Sequence, residues 1–332
     1  MPEVQNRDYG NMGALHEEGA TWPGRDVYVN ERVTPDRQQA TARLRQKGKP
    51  TKLRFATWNV NTLNQTGKLE NLKQEMKRLR VDLMGVAEVR WTGVGKYTDE
   101  EVDFYYSGGE NHARGVGIMV NKNIRKAVTG VWNVSDRIIL IKIAGTPINI
   151  NVIQVYAPTT THPDEEIEDL YEKLEEVKTQ CKAHDINIIM GDINAKVGEQ
   201  GDGQVSGNYG LGTRNERGER FIEWCRTNNQ VIMNTWFRHH PRHRWTWRSP
   251  GGIYKNQIDY ITINQRFRNS ITQVKTYPGA DCGIGCDHVP VVATIRLRLK
   301  KTKKKFKVTR NWETLRERRD LKAEFEVEDI KL

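Results

Sequence analysis

Between residues 52 and 299, short runs of apolar and β-branched residues alternate with longer amphipathic segments. Runs such as Leu53–Trp58 and Ile186–Met190 have the length and composition of buried strands. Segments such as Lys68–Leu79 and Pro163–Cys181 carry apolar residues at helical spacing between charged residues. Many strands joined by both hairpins and helices suit two packed sheets, so the pattern predicts a mixed α/β domain with flanking helices.

The sequence on either side of this region lacks such a pattern. Residues 1–51 are rich in polar and turn-forming residues without sustained periodicity, and we predict a disordered leader. Residues 300–332 are predicted to form a basic tail and linker. Nine basic residues without an intervening acid lie between Arg296 and Arg310, and they supply most of the formal net charge of +11. Such a run is typical of a segment that binds phosphates or an import receptor, and equally of a solvated linker.

The composition restricts the compartment and the disulfide content. Hydrophobic residues make up 36% of the chain, but no apolar run reaches the roughly 20 residues of a membrane-spanning helix. Residues 1–50 lack the apolar stretch of a secretory signal, so we expect an intracellular protein without a membrane partner. Four cysteines are too few for a disulfide scaffold. A zinc site at Cys282, Cys286 and His288 is a weaker alternative, because the other two cysteines show no paired spacing.

Polar residues recur where the apolar runs begin or end. Any one of them alone is typical of a turn cap or a solvated strand end. Their joint recurrence instead favours a shared chemical role. These residues are Asn59, Glu88, Asp192, Asn194, Asp259, Asp287 and His288.

This set contains the groups that the hydrolysis of a phosphodiester requires. Mg²⁺ is usually held by one or two carboxylates together with water and substrate phosphate, and Glu88 and Asp287 are the candidates. Asp192 is the candidate base that takes the proton of the attacking water, and Asn194 the candidate that orients this water. His288, as an imidazolium, is the candidate that stabilises the developing phosphoryl charge.

Six short motifs follow one another along the chain. They are Trp58-Asn59, Ala87-Glu88-Val89, Tyr156-Ala157-Pro158, Gly191-Asp192-Ile193-Asn194, Asp259-Tyr260 and Asp287-His288. Their identity and order resemble the endonuclease/exonuclease/phosphatase superfamily, and its abasic-endonuclease-like branch in particular. The resemblance covers residues 52–299. It implies a four-layered α/β sandwich of the DNase I type, with two mostly antiparallel sheets between helices and the active site at one edge of the sheets.

The resemblance also implies roles for single residues. Asn59 and Tyr156 would contact the scissile phosphate, with Asn59 lying at the metal site. Glu88 and Asp287 would hold Mg²⁺, for which Mn²⁺ would substitute. Asp259 would orient the catalytic histidine. No small-molecule cofactor besides the metal is implied.

The chain departs from abasic endonucleases at several positions. Asn61 stands where those enzymes carry an acidic residue of the metal site, which predicts weaker metal binding. Thr159 replaces an asparagine, and Cys286 replaces a serine. Repair enzymes form an apolar pocket for the extruded abasic sugar, whereas Arg244 and Asn256 occupy the corresponding neighbourhood here. We therefore expect no such pocket, and the surrounding segments instead resemble the endonucleases of RTE-type LINE (non-LTR) retrotransposons.

The predicted partner of the domain is DNA. The stretch from Arg238 to Trp245 mixes cations with an aromatic residue, which suits a phosphate-lined groove. The turn-rich segment Arg248–Asn256 is the candidate for a hairpin that reads the target. An exposed loop and an ordinary hairpin tip are the respective alternatives. The candidate substrate-binding residues are Arg238, His240, Arg244, Trp245, Arg248 and Tyr254.

These observations predict a nuclear, Mg²⁺-dependent DNA nickase of retrotransposon origin. Water would attack one phosphodiester in line and leave a 3′-hydroxyl, the end that a retroelement extends. Because no reverse transcriptase domain follows Leu332, we expect a separated endonuclease unit, a truncated element copy or a host gene derived from one. The alternatives are another phosphodiesterase or phosphatase of the same superfamily and a catalytically silent, chromatin-associated binding protein.

Overall fold

A computed structural model of the chain describes residues 27–29, 51–145 and 148–297. The predicted leader lies almost wholly outside these residues, and the predicted tail at 300–332 lies wholly outside them. Both segments, and the outer limits of the domain, therefore remain predictions. Within the described part, two sheets of seven strands each are flanked by helices.

The first sheet is antiparallel except for one central pair. Its strands, in spatial order, are β1 (Val27–Val29), β7 (Val128–Ser135), β8 (Ile138–Ile143), β9 (Ile150–Tyr156), β10 (Ile186–Asp192), β14 (Asp259–Asn264) and β11 (Gln230–Ile232). Strands β9 and β10 run parallel, and helix α2 (Asp164–Thr179) connects them. A parallel pair needs such a crossover, whereas the antiparallel neighbours β7, β8 and β9 follow one another through short turns. Helix α3 (Glu216–Thr227) precedes β11.

The second sheet repeats this arrangement. Its strands, in spatial order, are β15 (Ile271–Thr276), β16 (Val291–Leu297), β2 (Thr51–Asn59), β3 (Leu83–Ala87), β6 (Val116–Asn121), β5 (Val102–Ser107) and β4 (Val94–Thr98). The parallel pair is β2 and β3, joined by helix α1 (Lys68–Arg78). A separate short hairpin pairs β12 (Trp247–Arg248) with β13 (Lys255–Asn256), and it includes the segment Arg248–Asn256 predicted to form one.

Alternate residues of each central strand face opposite layers. Phe55 and Met190 belong to the apolar core between the two sheets. Leu72 of α1 packs on the outer face of the second sheet, and Leu170 of α2 and Phe221 of α3 pack on the outer face of the first. The period of two along the strands thus gives four layers in the order helix, sheet, sheet, helix, as the sequence predicted. None of the described helices combines the length and the apolar character needed to cross a bilayer.

Polar side chains connect the sheets inside the core. Gln154 of β9 is fully buried, and its Oε1 accepts a hydrogen bond from Thr57 Oγ1 of β2 at 3.1 Å. Gly85 of β3 lies against the same side chain, and a Cβ at this position would overlap Gln154 Oε1. Glycine at this position therefore leaves room for the Gln154 side chain where the two sheets approach each other, two residues before the ends of β3 and β9.

Candidate active site

Strand register brings the predicted polar residues to one edge of the two sheets. Because β9 and β10 are parallel, Tyr156 and Asp192 end them side by side. Asp259 begins β14 directly opposite Asp192, since that pair is antiparallel. On the second sheet, Asn59 ends β2 and Glu88 follows the last residue of β3. Residues far apart in sequence thus meet at one place.

A buried group of Asp192, Asp259 and His288 forms the centre of this edge. His288 Nδ1 lies 2.9 Å from Asp259 Oδ2, and His288 Nε2 lies 3.9 Å from Asp192 Oδ2. Burial by itself would lower the pKa of His288, but the charge and hydrogen bond of Asp259, together with the charge of Asp192, raise this pKa to about 10. The ring is therefore an imidazolium at neutral pH.

Asp192 is the second group of the site with a displaced pKa. Burial and the neighbouring charge of Asp259 raise this pKa, against the opposing effects of His288 and two hydrogen-bond donors. Asn59 Nδ2 donates to Asp192 Oδ2 at 2.9 Å, and the backbone N–H of Asn194 donates to Oδ1 at 3.0 Å. The carboxylate is thus fixed in orientation and takes up a proton more readily than an exposed aspartate, which are the properties of a general base.

Asn59 links Asp192 to Glu88, whose side chain is mostly buried. The same Nδ2 donates to Glu88 Oε1 at 2.9 Å, and the Tyr156 hydroxyl donates to that oxygen at 3.1 Å. Arg90 donates to the other oxygen, Oε2, at 2.6 Å. Burial would raise the pKa of Glu88, but the hydrogen bonds from Asn59, Arg90 and Tyr156 and the charge of Arg90 outweigh it and lower the pKa. Glu88 is therefore an anion at neutral pH.

The oxygens beside Glu88 suit a hard divalent cation. Glu88 Oε2 and Asn61 Oδ1 both accept hydrogen bonds from Arg90 Nη2, so two oxygens already converge on one positive charge. Mg²⁺ and Mn²⁺ prefer carboxylate and amide oxygens as ligands. The residues present fit such an ion. Asp287 is less available for this role, because its Oδ2 accepts a hydrogen bond from Trp247 Nε1 at 2.9 Å.

Asn194 contacts Asp192 through its backbone. The Asn194 amide donates to the carbonyl oxygen of Ala157 at 2.9 Å, so its backbone rather than its amide nitrogen faces Asp192.

The zinc alternative has little support, because the Nδ1 of His288 faces Asp259 instead of a thiol. Cys286 Sγ lies 3.4 Å from the carbonyl oxygen of His288. Among the histidine, cysteine, aspartate and glutamate side chains that the structure describes, Asp192, Asp259 and His288 are the one group of three whose ligand atoms all lie within 4.8 Å of one another.

Four of the predicted substrate-binding residues are accessible. Arg238, His240 and Arg248 are exposed. Tyr254 is 68% exposed and Ile253 is 79% exposed in the loop that joins β12 to β13. This hairpin therefore presents an aromatic and an aliphatic side chain to solvent.

The other two candidates are engaged within the protein. Trp245 is 7% exposed, and Lys255 Nζ lies 4.9 Å from the centre of its ring. The Arg244 guanidinium donates to the carbonyl oxygen of Gly210 at 2.8 Å and lies 3.9 Å from a carboxylate oxygen of Glu199. Arg244 is thus a charged side chain with partners inside the protein.

Arg137 is a residue of the site that no sequence pattern singled out. Its guanidinium carbon lies 5.3 Å from the centre of the Tyr156 ring, and Nη1 donates to the Tyr156 carbonyl oxygen at 3.2 Å. Nη2 donates to Glu166 Oε2 at 3.1 Å. Burial and the charges of nearby acids raise the pKa of Tyr156, so its hydroxyl stays protonated and remains a donor. Arg137 thus holds the tyrosine that in turn holds Glu88.

The backbone around these side chains is unusual. Five non-glycine residues at the edge have a positive φ, which few such residues adopt elsewhere. They are Asn61 (φ 48°), Thr62 (φ 94°), Glu88 (φ 54°), Arg90 (φ 56°) and Asn194 (φ 51°). Their concentration at one place is typical of a functional site that the surrounding fold holds in position.

Known proteins share this sequence pattern and this fold. The sequence of residues 56–293 matches the Endonuclease/Exonuclease/phosphatase family. The chain belongs to this family. Its relatives include craniofacial development protein 2 of Bos taurus, 44% identical over 259 residues, and that of Tragulus javanicus, 42% identical over 259 residues. These matches cover 77% of the chain but 43% and 45% of the relatives, so the chain spans less than half of their length.

Solved structures of similar fold include two nucleases. The endonuclease domain of TRAS1, a telomere-specific non-LTR retrotransposon, superposes with a TM-score of 0.53 at 16% identity and covers 74% of this chain and 99% of its own. The abasic (AP) endonuclease LMAP of Leishmania major gives a TM-score of 0.57 at 15% identity, with 82% and 93% coverage. Both the resemblance and the DNase I-like sandwich expected from the sequence are thereby confirmed.

Proposed function

We propose that the chain is a DNA endonuclease that nicks one strand in a reaction dependent on Mg²⁺, with Mn²⁺ able to replace it. The observation that carries this proposal is the buried group of Asp192, Asp259 and His288, joined to the anionic Glu88 through Asn59. Membership of a family of nucleases and phosphatases supports hydrolysis of a phosphate ester as the reaction. The site supplies a base, a fixed cation and an anionic metal ligand for that reaction.

In this mechanism Asp192 takes the proton of the attacking water. The oxygen of that water bonds to phosphorus while the bond from phosphorus to the 3′ oxygen breaks in line with it. The His288 imidazolium lies 3.9 Å from Asp192 and stabilises the charge on the five-coordinate phosphorus, while Asp259 keeps the ring charged. The departing 3′ oxygen takes up a proton from solvent and Asp192 releases the one it accepted, so the products are a 3′-hydroxyl and a 5′-phosphate.

Glu88 is the proposed principal metal ligand, with the amide oxygen of Asn61 beside it. A bound divalent ion supplies charge neutralisation of the phosphate oxygens. Asn59 and the Tyr156 hydroxyl hold Glu88 in orientation and are the groups that we assign to the scissile phosphate. Asp287 remains a predicted ligand through the carboxylate oxygen that Trp247 does not bind.

Undamaged duplex DNA is the proposed substrate, and the nucleus the proposed location. The charged Arg244 and polar Asn256 would line an abasic-sugar pocket poorly, because polar groups facing the sugar must find partners or stay hydrated. The exposed Arg238, Arg248 and Tyr254 suit contacts with phosphates and a groove. Similarity to a retrotransposon endonuclease domain, together with the retroelement-like segments around the hairpin, supports a retrotransposon origin.

Purified protein and supercoiled plasmid test this proposal directly. We expect conversion to the open circle with Mg²⁺, none with a chelator, and losses of roughly 10² or more for Asp192→Asn and His288→Ala. Arg226→Gln, an exposed position paired with Glu223 and Asp202, is the control that should nick normally. Nicking that survives chelation would refute the metal requirement. DNA binding without nicking would favour a catalytically silent binding protein.

A further inference from the structure

The Arg90 guanidinium lies where we assign the metal. Its Nη2 donates to Glu88 Oε2 at 2.6 Å and to Asn61 Oδ1 at 2.9 Å. Asn61 contributes a neutral amide, so Glu88 is the one formal charge among these oxygens, and the ion pair neutralises it. The protein thus carries its own cation on the carboxylate that a divalent ion would need.

The loop that carries both residues is fixed by the fold. Glu88 and Arg90 have φ values of 54° and 56° on either side of the fully buried Val89. The backbone N–H of Arg90 donates to the carbonyl oxygen of Arg114 at 2.7 Å, and that of Val89 donates to Gly115 at 3.0 Å. The placement of Arg90 on Glu88 is therefore imposed by the neighbouring chain and is not a chance contact of a flexible surface side chain.

The Arg90 guanidinium has hydrogen-bonding capacity that the described residues do not fill. Arg90 Nε is buried and has no hydrogen-bond partner among the described residues, and such an unpaired donor is costly. The side chain as a whole is 36% exposed, so an incoming anion can reach it. A substrate phosphate would offer this guanidinium a second acceptor with bidentate geometry.

We propose that Arg90 is a resident counter-ion that competes with the divalent metal for Glu88, and that substrate phosphate relieves this competition by drawing the guanidinium away. The inference rests on the proposed function, because it takes Glu88 as the metal ligand. A second cation at Glu88 Oε2 would be repelled by the guanidinium already there. The phosphate both attracts Arg90 and adds oxygens for the metal, so metal and DNA bind cooperatively, each tightening the other by the same factor.

Mn²⁺ binding to the DNA-free protein tests the competition without reference to activity. Electron paramagnetic resonance of unbound Mn²⁺ gives the dissociation constant. We expect Arg90→Gln to bind Mn²⁺ roughly tenfold more tightly than the wild type. Arg90→Lys, which keeps the charge but loses the planar fork, should show a smaller gain. Arg226→Gln removes the same charge from an exposed ion pair on α3 and should leave the affinity unchanged.

A second measurement tests the coupling to DNA. In a His288→Ala background, which slows cleavage, a short duplex should tighten Mn²⁺ binding when Arg90 is present. The tightening should be several-fold smaller when Arg90→Gln is added, because the competing cation has already been removed. An equal effect of the duplex in both backgrounds would overturn the proposed release of Arg90 by phosphate.

The outcomes separate this inference from the proposed function. Equal or weaker Mn²⁺ binding in Arg90→Gln, with plasmid nicking intact in the wild type, would overturn the competition alone. No Mn²⁺ binding in any variant would overturn both. If Arg90→Gln gains affinity, adding Glu88→Gln should abolish the gain. A gain that persists would place the metal away from Glu88 and so reject the inference.

Discussion

Replacing Asp259 with asparagine should remove the charge that keeps His288 cationic while nearly preserving shape. Asp259 and His288 are both buried, and His288 Nδ1 lies 2.9 Å from Asp259 Oδ2. The pKa of His288 is raised from 6.5 to about 10. A shift of one pKa unit corresponds to about 1.4 kcal/mol. After the opposing effect of burial is subtracted, the acidic neighbours therefore favour the charged ring by about 5 kcal/mol. Asp259 supplies the largest part of this effect.

In the Asp259→Asn variant, burial should return the pKa of His288 to its ordinary value or below. The ring would then be largely neutral at pH 7.5, and we expect nicking to fall by roughly 10² to 10³. The free energy of unfolding should also depend on pH. The raised pKa of His288 stabilises the folded protein fully at pH values below 6.5, the pKa of His288 in the unfolded chain. This stabilisation disappears as the pH rises through about 10. The wild type should therefore exceed the variant in unfolding free energy most at mildly acidic pH.

The assay is the pH profile of plasmid nicking, combined with denaturant unfolding. In the wild type the alkaline limb, set by His288, should lie near pH 10. The acid limb, set by Asp192, should lie above the range of an ordinary aspartate because burial raises its pKa. Asp259→Asn should move the alkaline limb by several pH units toward acid; the acid limb does not test this reasoning, because the charge of Asp259 raises and that of His288 lowers the pKa of Asp192. An unmoved alkaline limb would refute His288 as the catalytic cation.

Three further predictions follow from the structure and the sequence. Gly191→Ala should lower the unfolding free energy by roughly 2–4 kcal/mol, because φ is 151° and a Cβ would overlap the Val155 carbonyl oxygen. Denaturant unfolding measures this loss, and Gly212→Ala is the control, because Gly212 has a positive φ but open space around it. Matched duplexes with and without one abasic site should be cleaved within about tenfold of each other, whereas a preference of roughly a thousandfold would indicate repair. Ending the chain after Leu299 should flatten the salt dependence of DNA binding, and an unchanged slope would contradict a DNA-binding tail.

The elements predicted well are those whose side-chain pattern is strong. The predicted helix Lys68–Leu79 is α1 at Lys68–Arg78, and the predicted segment Pro163–Cys181 contains α2 at Asp164–Thr179. The sequence does not predict strand β4, because it is an edge strand whose side chains are half-buried or exposed, without an apolar face. It does not predict strand β7 either, since Gly130 and Asn133 interrupt the apolar residues of that strand.

A site residue is predictable where its chemical type and its position beside an apolar strand indicate a role. It is not predictable where only tertiary contacts bring it to the site. Asp192, Asp259 and His288 follow from polar residues at the ends of apolar strands, and the structure brings them together. Arg90 and Arg137 have no such indication, because an arginine in a loop is most often a solvated surface residue. Their contacts depend on a left-handed backbone in one case and a hairpin turn in the other. Neither property can be read from composition or periodicity.

The chemistry of this edge depends on the relative position of the two sheets. Asp192 and Tyr156 belong to the first sheet, and Asn59 and Glu88 belong to the second. One nitrogen, Asn59 Nδ2, donates at 2.9 Å to carboxylates carried by both sheets, so a displacement of about 1 Å would break one of these hydrogen bonds. The buried hydrogen bond from Thr57 to Gln154 joins the two sheets beneath the site and opposes such a displacement. The core beneath the site is therefore part of what positions the base relative to the metal ligand, and core substitutions there should reduce activity before they unfold the domain.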